Sequence, residues 1–238
     1  MTDSPPRKPI QPIRALRAIR ELLRNPDDTE QVFEIIDALS GNVGERLYLR
    51  FVGTETGRAI LGERRSLLAT LDDRTRLLGL PQGSLGRTYA EFAQREQITG
   101  QGLADASIAA RRRVDLDEDR RLFYDRLRDM HDLWHVVTGY GRDLLGEASL
   151  LSFTFAQTRN PGIGFIVAVA WLRAKGDAGF ARDLMGNAYR RGRGAKWLPG
   201  EDWETLLGLP LETVRHRLAL GEPPAYTPLR SEGAPALA

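Results

Sequence analysis

Apolar residues recur along most of the chain at intervals of three and four positions. The clearest windows lie at 13–23, 32–39 and 116–134. These intervals place side chains on one face of an α-helix, whereas the strict alternation that is typical of strands is scarce. The pattern therefore predicts an all-α protein. We expect a single multi-helix domain of about eight to ten helices, without an internal repeat.

Glycine and proline divide this pattern into segments. Both residues interrupt helices, so each cluster of them predicts a helix end. Proline-rich and alanine-rich stretches at 1–12 and 221–238 lack the apolar side chains needed to pack against a core. We expect a disordered lead at 1–12, a helical domain at 13–220 and a disordered tail at 221–238. The predicted breaks within the domain are Gly41, Gly79 with Pro81, Gly139 with Gly141, Pro161 with Gly162, and Pro199 with Gly200.

Composition excludes several classes of protein. A chain of 238 residues without cysteine has no disulfide, no thiolate metal site and no cysteine nucleophile. Its net charge is +2, and 32 acidic residues lie among 34 basic ones, which argues against a nucleic-acid partner. The longest apolar run, 163–172, is about half the ~20 residues that cross a bilayer, and the first residues lack the apolar core of a signal peptide.

The first predicted helix, 13–24, is basic and amphipathic. Arginines flank its apolar stripe, as in a helix that lies on a membrane surface. No tryptophan or phenylalanine anchors the stripe, so the sequence favours packing against the protein core. The apolar residues are Ile13, Leu16, Ile19 and Leu23, and the arginines are Arg14, Arg17, Arg20 and Arg24.

Two of the three histidines lie four positions apart in the pattern H-D-L-W-H. On a helix with about 100° per residue, His135 falls about 40° and Asp132 about 100° from His131. Their side chains can therefore converge on one ion. Hydrogen-bonded structural histidines remain the alternative to a metal site.

Glu147 lies twelve positions beyond His135. An unbroken helix would separate the two by about 18 Å, far beyond metal bonds of about 2.0–2.2 Å. A chain reversal at the segment 138–141, followed by a second helix from about Arg142, would return Glu147 to the ion. We therefore expect a metal site between two antiparallel helices.

Other metal-dependent classes fit these residues less well. A metalloprotease of the H-E-x-x-H type needs glutamate as a general base, and Asp132 is one methylene shorter. A phosphohydrolase of the HD type needs further histidine and aspartate ligands, and no histidine precedes position 131. A metal-dependent hydrolase of a soluble phosphoester also stays open.

The motif H-D-x-x-H, followed by eleven residues and glutamate, resembles the signature of the coenzyme Q biosynthesis protein four family. A second segment resembles that family's L-P-x-x-S-L-G-x-x-Y-x-x-F pattern, and the resemblance covers about residues 10–222. The residues that carry it outside the metal motif are Leu80-Pro81, Ser84-Leu85-Gly86, Tyr89, Phe92, Gln157-Thr158, Leu184-Met185, Trp203-Glu204, Leu211 and Val214-Arg215.

The resemblance implies a divalent ion, zinc in this family, held by His131, Asp132, His135 and Glu147. It also implies a role in ubiquinone biosynthesis. The implied activity is that of a carbon–carbon lyase, a 4-hydroxy-3-methoxy-5-polyprenylbenzoate decarboxylase that removes the C1 carboxylate, alone or with hydroxylation of the ring. The alternative is a non-catalytic scaffold with a structural metal, which binds lipid quinone intermediates and other ubiquinone-biosynthesis enzymes.

The implied partners follow from that role. We expect a polyprenylated benzoate or quinone intermediate, other enzymes of the pathway and a membrane surface, and we expect a homo-oligomer. No mitochondrial-type presequence is visible, which favours a bacterial homologue in the cytoplasm, peripheral to the inner membrane. An isoprenoid tail needs an apolar groove, for which the run 163–171 and the stripe of the first helix are candidates. Arg111-Arg112-Arg113 could steer an anionic headgroup or ring carboxylate.

Overall fold

The computed structural model describes residues 9–25, 28–97, 116–174 and 176–229. These residues contain thirteen α-helices and one 3₁₀ turn. They contain no strand, and their one β-bridge pairs Ser84 with Pro210. The helices are α1 (Pro12–Arg24), α2 (Thr29–Leu39), α3 (Val43–Val52), α4 (Glu55–Gly62), α5 (Leu67–Asp72), α6 (Arg74–Leu78), α7 (Leu85–Arg95), α8 (Glu118–Thr138), α9 (Leu144–Thr158), α10 (Pro161–Arg173), α11 (Ala178–Gly194), α12 (Trp203–Leu206) and α13 (Leu211–Arg217).

The all-α prediction is confirmed, but the described helices outnumber the eight to ten that the sequence predicted. Three of them, α5, α6 and α12, are four to six residues long. Such short elements contain too few apolar positions to show a helical period in the sequence. Side chains rather than period define their starts, because Ser66, Asp73 and Asp202 each accept a hydrogen bond from the first turn.

Four of the five predicted helix breaks lie at observed helix ends, and Pro199 with Gly200 lies in the 3₁₀ turn between α11 and α12. Gly41 lies in the turn after α2, and Gly79 follows the last residue of α6. Gly139 ends α8 with a φ of 79°, a left-handed conformation that glycine adopts without steric cost. Pro161 is the first residue of α10, where its missing N–H has no helical partner to lose.

The long helix α8 is the centre of the fold. It contacts α3, α4, α5, α7, α9 and α13, and Met130, Leu133 and Trp134 on it are almost fully buried. Trp134 packs edge-on against Phe153 of α9, with ring centroids 6.1 Å apart. Edge-to-face packing at this distance is favourable for two aromatic rings, and it fixes α8 against α9 in the core.

Two arginines hold the C-terminal end of α8. Arg215 donates to the carbonyls of Val136 and Val137 at 3.1 and 3.0 Å, and Arg191 donates to the carbonyl of Thr138 at 3.1 Å. The last carbonyls of a helix have no partner within the helix, and cations near them are favourable. The end of α8 is thereby fixed by residues that lie more than 50 positions away in the sequence.

Helix α1 packs on the core, but not through most of its predicted stripe. Its buried residues are Ala15, Ala18 and Ile19, which belong to a cluster with residues of α2 and α10. Ile13 and Leu16 are 67% and 50% exposed. The packed side of α1 therefore consists of two small alanines and Ile19, while Ile13, Leu16 and Leu23 face outward.

The first part of the predicted C-terminal tail contacts the domain. The side chain of Tyr226 binds the loop between α8 and α9, and the backbone of Leu229 binds the start of α9. The prediction that the tail cannot pack is therefore wrong for residues 221–229, because hydrogen bonds and one aromatic side chain replace an apolar stripe. Residues 1–8, 230–238 and Arg111-Arg112-Arg113 lie outside the described residues, so those predictions stand as they were made.

Within the described ranges, no helix combines the length and the apolar character that spanning a bilayer requires.

Candidate metal centre

The two histidines of the H-D-L-W-H motif face each other near the end of α8. Their Nε2 atoms lie 3.2 Å apart, and their rings meet edge-on. The side chain of His135 is fully buried, whereas that of His131 is 35% exposed. One imidazole therefore lies in the core and the other at the surface, and both direct Nε2 to the same point.

A hydrogen bond sets the tautomer of His135. Its Nδ1 lies 2.8 Å from the backbone carbonyl oxygen of Tyr140. A carbonyl only accepts, so Nδ1 carries the hydrogen and Nε2 of the neutral ring presents its lone pair. Metal-bound histidines usually donate their second nitrogen in this way, which also fixes the ring orientation.

Glu147 comes to the histidines from the first turn of α9. Helix α8 ends at Thr138, and α9 begins after Asp143, whose side chain accepts hydrogen bonds from the amides of Leu145 and Gly146. The predicted chain reversal is thus observed, with a second helix two residues later than expected. Carboxylate oxygens of Glu147 lie 3.4 Å from Nε2 of His135 and 3.6 Å from Nε2 of His131.

These separations match the donor spacing of a metal site. Two atoms bonded to one tetrahedral ion at about 2.0–2.1 Å lie about 3.3 Å from each other. Nε2 of His131 and Nε2 of His135 lie 3.2 Å apart. Oε1 of Glu147 lies 3.4 Å from His135, and Oε2 lies 3.6 Å from His131. The donor atoms therefore need little rearrangement to surround an ion.

Asp132 lies beside the two histidines. Ligand atoms of His131, Asp132 and His135 all lie within 4.8 Å of one another, and this group is a candidate metal-binding triad. Asp132 is 4% exposed, and its Oδ2 has no hydrogen-bond partner among the described residues. A buried carboxylate oxygen is costly without a partner, so a cation at this place would relieve that cost.

The pKa values of His135 and Glu147 are both shifted by their mutual contact. Burial alone would lower the pKa of His135, but the carboxylates of Glu147 and Asp132 and the carbonyl of Tyr140 raise it. Burial alone would raise the pKa of Glu147, but His135 and His131 outweigh it and hold the pKa well below its ordinary value. Glu147 is therefore ionised, as a metal ligand must be.

The segment 80–92, which carried the second part of the resemblance, lines the same centre. Phe92 on α7 stacks on the ring of His135, with centroids 5.9 Å apart and an interplanar angle of 26°. Tyr89 lies one turn earlier on α7, and its ring lies under the guanidinium of Arg74. Burial and the carboxylate of Asp132 both raise the pKa of the Tyr89 hydroxyl. The two sequence motifs thus converge on one place.

Arg142 is a residue of the site that the sequence reasoning did not single out. Its Nε lies 3.9 Å from Glu147, and its side chain is 38% exposed. His131 and Glu147 are each about one-third exposed as well, so these three side chains leave one side of the centre open to solvent. Its position directly after the predicted chain reversal was the available signal, but one arginine in an arginine-rich chain is not distinctive.

Comparison with known proteins places the chain in a family. The profile of the family described as coenzyme Q (ubiquinone) biosynthesis protein Coq4 matches residues 12–224. A relative from Aspergillus flavus, ubiquinone biosynthesis protein coq4, mitochondrial, is 32% identical over 189 residues, 78% of this chain and 63% of the relative. A relative of the same name from Pyrenophora tritici-repentis is 31% identical over 182 residues, 76% of this chain and 61% of the relative.

The chain thus spans less than two-thirds of the length of these fungal relatives. A crystal structure from Nostoc punctiforme, of a protein provisionally named for ubiquinone biosynthesis, superposes with a TM-score of 0.63. It is 22% identical, and the match covers 90% of this chain and 100% of that one. At this identity the likeness concerns the fold alone.

Proposed function

This chain belongs to the coenzyme Q (ubiquinone) biosynthesis protein Coq4 family, and from that membership we propose that it is a metal-dependent decarboxylase of ubiquinone biosynthesis. Its substrate would be a polyprenylated 4-hydroxybenzoate-derived ring that loses its C1 carboxylate. The observation that carries the proposal is the convergence of two imidazole nitrogens and a carboxylate at 3.2–3.6 Å, beside the unpartnered oxygen of Asp132.

The proposed ligands are His131, Asp132, His135 and Glu147, and the ion is Zn²⁺. Two carboxylates and two neutral imidazoles balance the charge of a divalent cation, and nitrogen and oxygen donors are ordinary zinc ligands. A divalent ion bound there would supply a Lewis acid for the developing charge on a substrate oxygen.

The chain's own residues would place the substrate. The guanidinium of Arg142 stands beside the opening and can attract an anionic ring carboxylate. In the reaction the bond from C1 to the carboxyl carbon breaks, carbon dioxide leaves, and the electron pair on C1 takes a proton from water. In the oxidative variant, one atom of dioxygen goes to C1 and the other leaves as water, with two electrons from an external reductant.

A decarboxylation assay tests this activity. Metal-loaded protein is expected to release carbon dioxide from a short-chain polyprenyl 4-hydroxybenzoate with C1 carboxylate, at least about 100-fold faster than metal-stripped protein, the low end of typical catalytic contributions from one positioned group. Mass analysis of the product distinguishes C1–H from C1–OH, with and without dioxygen. Equal release from the loaded and stripped forms would contradict a catalytic metal.

A scaffold with a structural metal is the second candidate. Four protein ligands can fill all positions of tetrahedral zinc, which is the pattern of structural sites. Against this, the exposure of His131, Glu147 and Arg142 leaves one side of the centre open to solvent. That opening favours a centre that admits a substrate.

We also propose that the outward face of α1 binds a membrane surface, where a polyprenylated substrate would reside. The compartment we expect is the bacterial cytoplasm, with this face on the inner membrane. Three apolar side chains of α1, Ile13, Leu16 and Leu23, are 67%, 50% and 39% exposed. Arg17, Arg20 and Arg24 lie on the same exposed side, and cations there favour anionic lipid headgroups.

The variant Leu16→Glu tests this face. We expect about 10-fold weaker binding to vesicles that contain phosphatidylglycerol, since inserting one leucine contributes about 1.5–3 kcal/mol when fully buried. Leu49→Glu on α3 is the matched control, because Leu49 is 57% exposed outside this face. Cosedimentation measures binding. Equal binding of both variants would overturn the proposal, as would a change in oligomeric state of Leu16→Glu with unchanged vesicle binding.

A further inference from the structure

The loop between α8 and α9 decides where Glu147 lies. The backbone amide of Glu147 donates to the carbonyl of Asp143 at 2.8 Å, which is the first hydrogen bond of α9. Glu147 is therefore one turn from the start of its helix. Any movement of that start moves the carboxylate relative to His131 and His135.

The buried carboxylate of Asp143 accepts four hydrogen bonds in this loop. Its Oδ1 accepts from the amides of Leu145, Gly146 and Leu229, at 3.1, 3.2 and 2.9 Å. Its Oδ2 accepts from the hydroxyl of Tyr226 at 2.8 Å. Two of these contacts are the ordinary helix cap, and the other two come from a segment more than 80 residues later.

The hydroxyl of Tyr226 is bound on both sides. It accepts from the amide of Gly141 at 2.7 Å and donates to Asp143. Burial raises the pKa of this phenol, the amide of Gly141 lowers it, and the carboxylate of Asp143 raises it further, with a net increase. The hydroxyl thus keeps the hydrogen with which it ties the two ends of the loop together.

The segment 223–229, which we call the C-terminal strap, fits closely over this loop. A Cβ at Gly139 would lie 2.5 Å from Pro223, and one at Gly146 would lie 2.5 Å from the hydroxyl oxygen of Tyr226. The amide of Leu144, the first residue of α9, donates to the carbonyl of Leu229 at 2.8 Å. The strap thus supplies a partner for an amide that the helix itself leaves unpaired.

We propose that Tyr226 is a positioning residue for the metal ligand Glu147, acting through Gly141 and Asp143. The strap holds the loop closed, so the carboxylate oxygens of Glu147 stay 3.4 and 3.6 Å from the Nε2 atoms of the two histidines that would hold the ion. Residues that orient metal ligands from outside commonly contribute about 10-fold to 100-fold in affinity. This inference rests on the metal centre of the proposed function.

The conservative variant Tyr226→Phe removes only the hydroxyl. We expect it to weaken binding of Co²⁺, a spectroscopic probe for zinc sites, by about 10-fold or more, on the scale known for such residues. Tyr189→Phe is the control, because Tyr189 lies on α11 and its hydroxyl binds Arg159 instead of the loop. Hydrogen exchange at Gly141 should be faster in Tyr226→Phe alone, which reports the loosened loop independently of metal.

A double-mutant cycle with Glu147→Ala separates positioning from a general loss of stability. If Tyr226 acts through Glu147, Tyr226→Phe has no further effect on Co²⁺ affinity once Glu147 is absent. An equal loss of affinity in both backgrounds would overturn the inference, as would wild-type affinity in the single variant. A wild-type protein that does not bind Co²⁺ would instead overturn the metal centre itself.

Discussion

Replacing His131 with alanine is expected to remove the bound metal while the helical fold persists. His131 is 35% exposed, so its loss leaves no large cavity in the core. Its Nε2 also lies 3.2 Å from Nε2 of His135 and 3.6 Å from a carboxylate oxygen of Glu147. Loss of a residue that only orients a metal ligand lowers metal affinity by about 10-fold to 100-fold. Loss of a ligand itself should lower it further, so we expect the metal affinity to fall by more than about 100-fold.

Metal content after gel filtration and the thermal melting curve by circular dichroism measure these two effects. His216→Ala is the matched control, because His216 is exposed on α13. A folded His131→Ala variant without metal and without decarboxylation supports a catalytic centre. A variant that fails to fold supports the scaffold with a structural metal, and one that retains its metal would contradict the site.

Replacing Glu204 with alanine is expected to lower the free energy of unfolding by about 3–5 kcal/mol. Glu204 binds Arg126 of α8 through two hydrogen bonds of 2.5 and 2.6 Å, and the side chain of Arg126 is completely buried. The variant would leave that guanidinium charged without its partner in the core. The loss of stability reflects the buried charge that stays without a partner, and it does not measure the net contribution of the ion pair.

Urea denaturation measures the loss, and two comparisons define its cause. Glu91→Ala removes a partner of Arg87 at the surface, where Glu91 is 52% exposed, and should cost at most about 1 kcal/mol. The double variant Arg126→Met with Glu204→Met should regain most of the stability, because it removes both charges. A loss below about 1 kcal/mol in Glu204→Ala would contradict the burial argument.

The candidate centre could be predicted from the sequence because its main constraints are local. The spacing of His131 and His135 places two imidazoles on one helix face. The glycines at 139 and 141 predict the reversal that Glu147 needs. Each of these signals depends on residues within about two helical turns.

The segment 80–92 resembles the second family pattern, but the sequence did not indicate what its side chains do. The structure places Phe92 of that segment against the ring of His135, and the carboxylate of Asp132 contributes to the raised pKa of Tyr89. Spacing within α7 puts these two side chains on one face. It does not say which other helix that face meets, so their part in the centre required the tertiary structure.

The sequence was least informative where distant residues interact. Tyr226 lies in a segment with a disordered composition, and its partner Asp143 is 83 positions away. For α1, the apolar period located the helix correctly. It could not show that Ala15 and Ala18 would form the packed side while Ile13 and Leu16 face outward.

The sequence by itself thus determined the helical class and the break between α8 and α9, and it supplied the residues that we propose as metal ligands. Helical period, capping and the spacing of donor side chains follow from local geometry. The tertiary structure decided how closely Glu147 approaches the histidines, which side of α1 is exposed, and which segment holds the loop. These features depend on contacts between residues far apart in the chain, which no local pattern encodes.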